Sequence, residues 1–109
     1  MSYEVLTIPP FDKQLKRLVK KYPSLKVEFA VLIELLGQKP EQGVSLGYNC
    51  YKIRIAITSK GKGKSGGARV ITNILVKANT IFLLAIYDKS EKDNLTAKEL
   101  EELLKHISD

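Results

Sequence analysis

Residues 51–58 read Tyr51-Lys52-Ile53-Arg54-Ile55-Ala56-Ile57-Thr58. Tyr51, Ile53, Ile55 and Ile57 alternate with Lys52, Arg54, Ala56 and Thr58, the period of two expected of a strand with one face in a core and the other facing out. The outward face is basic. Upstream of it the period is helical, so the chain changes its architecture here. Downstream, Arg69 to Lys77 alternates more loosely and Thr80 to Tyr87 is a continuous apolar run suited to a central strand, with Ala78-Asn79 the right length for a tight hairpin between them.

Working back from residue 51, the stretch Gln38 to Asn49 reads as turns. Before it, Leu25, Phe29, Ala30, Leu32, Ile33 and Leu36 cover most sides of a helix, which predicts deep burial, and Gly37 suits its C-terminal stop. An earlier helix is predicted over residues 11–22, with Phe11, Leu15, Leu18, Val19 and Tyr22 on one face and Lys13, Lys16, Arg17, Lys20 and Lys21 on the other. Pro9-Pro10 can open it, and residues 3–8 predict a short first strand. At the far end Thr96 and Glu99 form a capping box, Leu95 and Leu100 a hydrophobic staple, and Leu100, Leu103, Leu104 and Ile107 one apolar face. The expected fold is α+β: an N-terminal helical hairpin packed on an antiparallel sheet, followed by a C-terminal helix, as one domain over residues 1–109.

Charge narrows the partners. The chain of 109 residues carries a formal +6. Residues 52–92 hold nine basic side chains and only Asp88 and Glu91 as acids, whereas residues 93–109 are net acidic. A single strand lysine needs no explanation beyond solvation and protection of a sheet edge. The set, converging from strand ends, predicts a surface for a phosphate backbone. No apolar run approaches the length of a membrane span, and Met1-Ser2-Tyr3-Glu4 lacks the pattern of a secretory signal. With Cys50 the only cysteine, no intrachain disulfide or thiolate metal cluster is expected. Those observations fit a reducing cytoplasm and no membrane partner. Cys50 reads as a small residue at a strand start.

The run Ser59-Lys60-Gly61-Lys62-Gly63-Lys64-Ser65-Gly66-Gly67 contains Gly63-Lys64-Ser65, yet Thr58 stands where a P-loop needs its first glycine and the run leads into a strand. Nucleotide binding is rejected. What remains is a cationic hairpin loop whose glycines permit close approach of backbone to phosphate.

Phe11-Asp12-Lys13, Lys16-Arg17-Leu18, Lys21-Tyr22 and Tyr51-Lys52-Ile53-Arg54 together resemble the RelE/ParE superfamily of bacterial toxins. The glycine-lysine run through Gly66-Gly67-Ala68-Arg69-Val70-Ile71, and Ile86-Tyr87-Asp88-Lys89-Ser90-Glu91-Lys92, resemble its RelE/HigB branch. The resemblance spans nearly the whole chain. It implies a microbial-ribonuclease-like sheet and an mRNA interferase that acts on mRNA at the ribosome and its 16S rRNA, neutralised by a bound antitoxin protein. Similar sequences often carry aromatics just after Arg-Val-Ile. Here Thr72 and Asn73 stand there, which argues against base stacking at those two positions.

Cleavage of RNA by its own 2′-hydroxyl needs a base, charge stabilisation at the phosphorane and an acid for the leaving oxygen. His106, the only histidine, lies in the acidic C-terminal stretch and reads as a surface residue. The candidates are therefore Arg69 as phosphorane stabiliser, Arg54 as phosphate anchor, and Tyr87 with Lys60, Lys89 or Lys92 for proton transfer. Lys52, Lys62 and Lys64 are candidates for RNA binding. No metal or other cofactor is expected. Two other classes share this fold: a ParE-like inhibitor of DNA gyrase without nuclease chemistry, and a non-catalytic RNA- or ribosome-binding module.

Overall fold

The computed structural model describes residues 2–60 and 66–107. Five strands and three helices follow one another as β1 (Glu4–Thr7), α1 (Pro9–Lys21), α2 (Leu25–Gln38), β2 (Val44–Gly47), β3 (Cys50–Ile55), β4 (Ala68–Leu75), β5 (Thr80–Asp88) and α3 (Ala97–Leu104). The sheet order is β1-β5-β4-β3-β2. Only β1, paired with β5, runs parallel to its neighbour. The fold is the expected α+β class, with helices on both sides of a mostly antiparallel sheet.

Cross-strand register assigns the faces, because directly paired residues project the same way and successive residues alternate. Ile53, Val70 and Ile86 pair in a row across β3, β4 and β5 and are all buried. This face receives α1 and α2, whose buried side chains are Phe11, Leu18, Leu25, Leu32 and Leu36. The opposite face bears Lys52 and Arg54 from β3, Arg69 and Ile71 from β4, and Ala85 and Tyr87 from β5. There α3 lies, its Thr96, Glu99 and Leu103 lining one cavity with Ala85 and Tyr87. β4, between β3 and β5 and covered on both faces, is buried from Ala68 to Ile74.

A β-bulge decides where Tyr87 points. Ile71 pairs with Ala85 but Thr72 pairs with Leu83, leaving Leu84 as the extra residue on β5. The added residue resets the alternation, so Phe82, opposite Asn73, and Tyr87, opposite Arg69, share a face although five positions apart.

Several boundaries differ from the sequence reading. β2 lies within the stretch expected to be all turns. It is exposed along its length and needs β3 to form, so no apolar pattern marks it. Helix α2 continues through Gly37 to Gln38 and is capped by the Lys39 amide bonding to the Leu35 carbonyl, before Pro40. Gly37 serves a different end: its carbonyl accepts from the Tyr3 amide at 2.8 Å, tying α2 to the root of β1. Nor is α2 deeply buried all round, since Val27, Val31 and Leu35 form a stripe exposed by 68%, 54% and 48%. The capping box at Thr96 and Glu99 is present with both of its bonds. No helix among the described residues is long and apolar enough to cross a membrane.

Candidate nucleic-acid site

Arg54, Arg69 and Tyr87 stand side by side. Arg54 pairs directly with Arg69 across β3 and β4, and Arg69 pairs directly with Tyr87 across β4 and β5. Register alone therefore makes a cation, cation, phenol row across three adjacent strands on the α3 face. Arg54 is exposed, whereas Arg69 and Tyr87 retain only 3% and 5% of their accessible surface. One Arg69 guanidinium nitrogen donates to its neighbour's carbonyl, that of Ala68, at 3.2 Å. Burial and the like charge of Arg54 lower the affinity of this guanidinium for its proton, and Tyr87 opposes them.

Tyr87 opens onto a cavity of about 420 Å³, lined also by Lys92, Leu95, Thr96 and Glu99. Burial raises the pKa of the phenol, and the positive fields of Arg69 and Lys92 offset part of the rise. The hydroxyl is buried and makes no hydrogen bond of good geometry, although the Leu95 amide lies against it. Tyr87 thus lines this cavity with its hydroxyl oxygen itself covered and its phenol held protonated by burial.

Around this row the lysines divide. Lys92 lines the same cavity and pairs with Glu99 at 2.6 Å. Lys89 pairs with Asp93 at 2.5 Å on the segment leading away from β5. Lys52, two positions before Arg54 on the same face, donates weakly to the Asn94 side chain at 3.4 Å. Lys62 and Lys64 lie outside the described residues.

Lys60 does not join the row, contrary to the expectation that placed it with Tyr87 for proton transfer. Its ammonium binds Asp88 Oδ1 at 2.5 Å, the Gly66 carbonyl at 2.7 Å and Ser90 Oγ at 3.2 Å. Asp88 follows Tyr87 on the strand and so projects to the other face, where the Tyr22 hydroxyl at the end of α1 also donates to it at 2.8 Å. Burial would raise the Asp88 carboxyl, but bonds from Lys60, from the Ser90 amide and hydroxyl, and from Tyr22 outweigh it and hold it well below the ordinary carboxylate range. This buried pair was not anticipated from sequence. Its signal is slight, an acid next to Tyr87 at a strand position of helix-facing parity.

The remaining reactive groups stand apart. Cys50 opens β3 fully buried, and burial pushes its thiol up. His106 is exposed just beyond α3. Among the described residues no group of three or more His, Cys, Asp or Glu side chains could hold a metal ion.

A five-stranded sheet with a helical hairpin on one face, and on the other a row of two arginines and a tyrosine beside a third helix, makes a small α+β domain with a basic site. Residues 12–109 match the family model described as the RelE toxin of the RelE/RelB toxin–antitoxin system, and the chain belongs to that family. Its fold is similar to that of a mutant of the Escherichia coli toxin RelE in the free state, with a TM-score of 0.66 at 14% identity over 99% of this chain and 100% of that one. The isolated E. coli RelE toxin gives 0.57 at 16% identity, covering 97% and 100%. The toxin–antitoxin complex RelBE2 from Mycobacterium tuberculosis gives 0.56 at 17% identity, covering 81% of this chain and 92% of the other.

Proposed function

We propose that this toxin is an endoribonuclease that cleaves mRNA in the cytoplasm, on the ribosome, by attack of the substrate's own 2′-hydroxyl and without a metal. The observation that carries the reading is the direct opposition of Arg54 and Arg69. Like charges facing each other across a ladder disfavour a sheet, and a phosphodiester seated between them offers negative charge to both. Arg69 presents a planar fork of donors to the phosphorane, and Arg54, exposed, anchors a neighbouring phosphate. Tyr87, its phenol held protonated by burial, donates to the leaving 5′-oxygen as the bond from phosphorus to that oxygen breaks. Proton transfer at the 2′-hydroxyl falls to Lys92 or Lys89, the lysines on the segment directly after β5. Lys52, Lys62 and Lys64 hold the flanking backbone.

Arg69 and Tyr87 are covered in the free protein, and this reading assigns the entry of a phosphate to the cavity beside α3 that Tyr87 lines. As it enters it competes with Glu99 for Lys92, exchanging one charge-assisted pair for another. An antitoxin protein is the natural neutralising partner of such a toxin, and the RelBE2 complex is a related pair. The exposed Val27, Val31 and Leu35 stripe on α2 is the kind of apolar surface a partner covers.

The test is induction in a bacterial host followed by primer extension on a reporter mRNA. New 5′ ends that vanish with Arg69→Ala support the reading. Intact mRNA with a DNA-damage response points instead to a gyrase inhibitor, and intact mRNA with salt-sensitive ribosome binding to a non-catalytic module.

A further inference from the structure

The turn joining β2 to β3 carries a tyrosine where the backbone suits glycine or asparagine. Gly47 pairs with Cys50, and the two residues between them, Tyr48 and Asn49, have φ of 54° and 59°. Positive φ at both central positions is the mark of the tight hairpin turn that favours Asn-Gly, and for a bulky side chain it is an outlier. The conformation is held from beneath. Asn73 Nδ2 donates to the Tyr48 carbonyl at 3.0 Å, the Cys50 thiol approaches the same oxygen at 3.6 Å, and the Ile74 amide donates to the Asn49 carbonyl at 2.8 Å. Asn73 is 9% exposed and Cys50 fully buried, so the clamp belongs to the core.

The tyrosine itself does not. The residue is 84% exposed, and burial therefore gives no reason for an aromatic at a position that strains it. It stands beside an open groove of about 390 Å³ lined by Leu46, Leu95, Leu100 and Leu104, on the side of the sheet where α3 lies. Cys50, Lys52 and Arg54 project to that side at every second residue of β3. From Cys50, the first residue after the turn, to Arg54 is roughly 13 Å at the rise of a strand. Asn73, on β4 and the same face, supplies the amide that fixes the turn.

We propose that Tyr48 is a base-stacking platform for single-stranded RNA, extending the site past Lys52 to the outer end of the hairpin. This rests on the ribonuclease reading above. A ring standing clear of the surface, in line with the cations Lys52 and Arg54 along β3, is the arrangement that binds unpaired bases: the cations follow the backbone and the ring meets a π-face that every base presents. The preset, strained turn fixes the platform before the strand arrives.

The experiment uses purified full-length protein and a short RNA with methylated 2′-hydroxyls, which cannot be cleaved. Tyr48→Asn places in the turn a residue that tolerates positive φ, so its thermal midpoint should equal or exceed that of the wild type while its RNA affinity falls about tenfold or more at fixed salt. Tyr48→Trp should retain affinity, and because the native chain has no tryptophan, the new indole emission should be quenched by bound RNA. Equal affinity of Tyr48→Asn and wild type, or indole emission from the Tyr48→Trp protein that RNA leaves unquenched, overturns the proposal. So does a Tyr48→Asn protein that loses a co-expressed antitoxin while keeping its RNA. A wild type that binds no RNA would remove the ribonuclease reading as well, whereas equal binding by Tyr48→Asn removes the platform alone.

Discussion

Arg54 and Arg69 face each other directly across β3 and β4, two guanidinium groups placed where a sheet gains from opposite charges. The arrangement sets stability against activity. Arg54→Ala should leave stability unchanged or raise it by up to about 1 kcal/mol, while cleavage falls. Arg69→Ala should lower cleavage by about 100-fold or more, the usual consequence of removing one preorganised donor to a developing oxyanion. Arg69→Lys should recover only part of it, since an ammonium lacks the fork. Chemical denaturation beside a cleavage assay on each variant checks this. An Arg54→Ala protein that is less stable and fully active would contradict it.

Tyr87 gives a second separation. Its hydroxyl is buried and unsatisfied, which costs about 1–3 kcal/mol in a folded protein. Tyr87→Phe should therefore be as stable as the wild type or more so, yet cleave about 100- to 10,000-fold more slowly if the phenol is the proton donor. Parallel melting curves and single-turnover rates decide it. A destabilised Tyr87→Phe would mean that the hydroxyl has a structural partner.

The buried Lys60–Asp88 pair should dominate the acid response. Their side chains are 9% and 0% exposed, and losing one partner of such a pair costs about 3–5 kcal/mol. Lys60→Met and Asp88→Asn should each be strongly destabilised, and the double variant Lys60→Met/Asp88→Leu should recover most of the loss. Because the Asp88 carboxyl titrates lower in the folded than in the unfolded chain, its stabilisation is complete above the unfolded value of about 3.9 and declines as pH falls below it toward the folded value. Urea midpoints between pH 7 and pH 3 should thus fall more steeply for the wild type than for the double variant. Equal slopes would show that Asp88 does not carry this pH dependence.

Gly67 supports the row from behind. A Cβ there would collide with the Ile55 carbonyl and the Ala56 backbone, so the strand before Arg69 can approach β3 only without a side chain. Gly67→Ala should separate β3 from β4 at the end that carries Arg54 and Arg69, costing about 1–3 kcal/mol and cleavage with it. A Gly67→Ala protein with wild-type stability and rate would deny this close approach.

Much of this was readable from the residues. The alternation from Tyr51 to Ile57 exposed the basic face of β3, and the Thr96 and Glu99 pair marked the start of α3 because capping is a local interaction. What escaped is non-local. Nothing in the apolar run Thr80 to Tyr87 reveals that Leu84 bulges, so the side to which Tyr87 points had to come from pairing with β4. Lys60 looked like one more cation of the loop because its partner, Asp88, is distant in the chain and faces the helices. Tyr48 lay in a stretch read as turns, and its exposure on a clamped hairpin became visible only once β2 had paired.

The chemistry of the RNA ends reports on the shared site of Arg54, Arg69 and Tyr87. With purified toxin, ribosomes and a defined mRNA, the products should carry a 2′,3′-cyclic or 3′-phosphate upstream and a 5′-hydroxyl downstream, as attack by the 2′-oxygen requires, and Arg69→Ala should leave the mRNA whole. Fragments bearing 5′-phosphates, or equal cleavage by the Arg69→Ala protein, would contradict a single site built from Arg54, Arg69 and Tyr87.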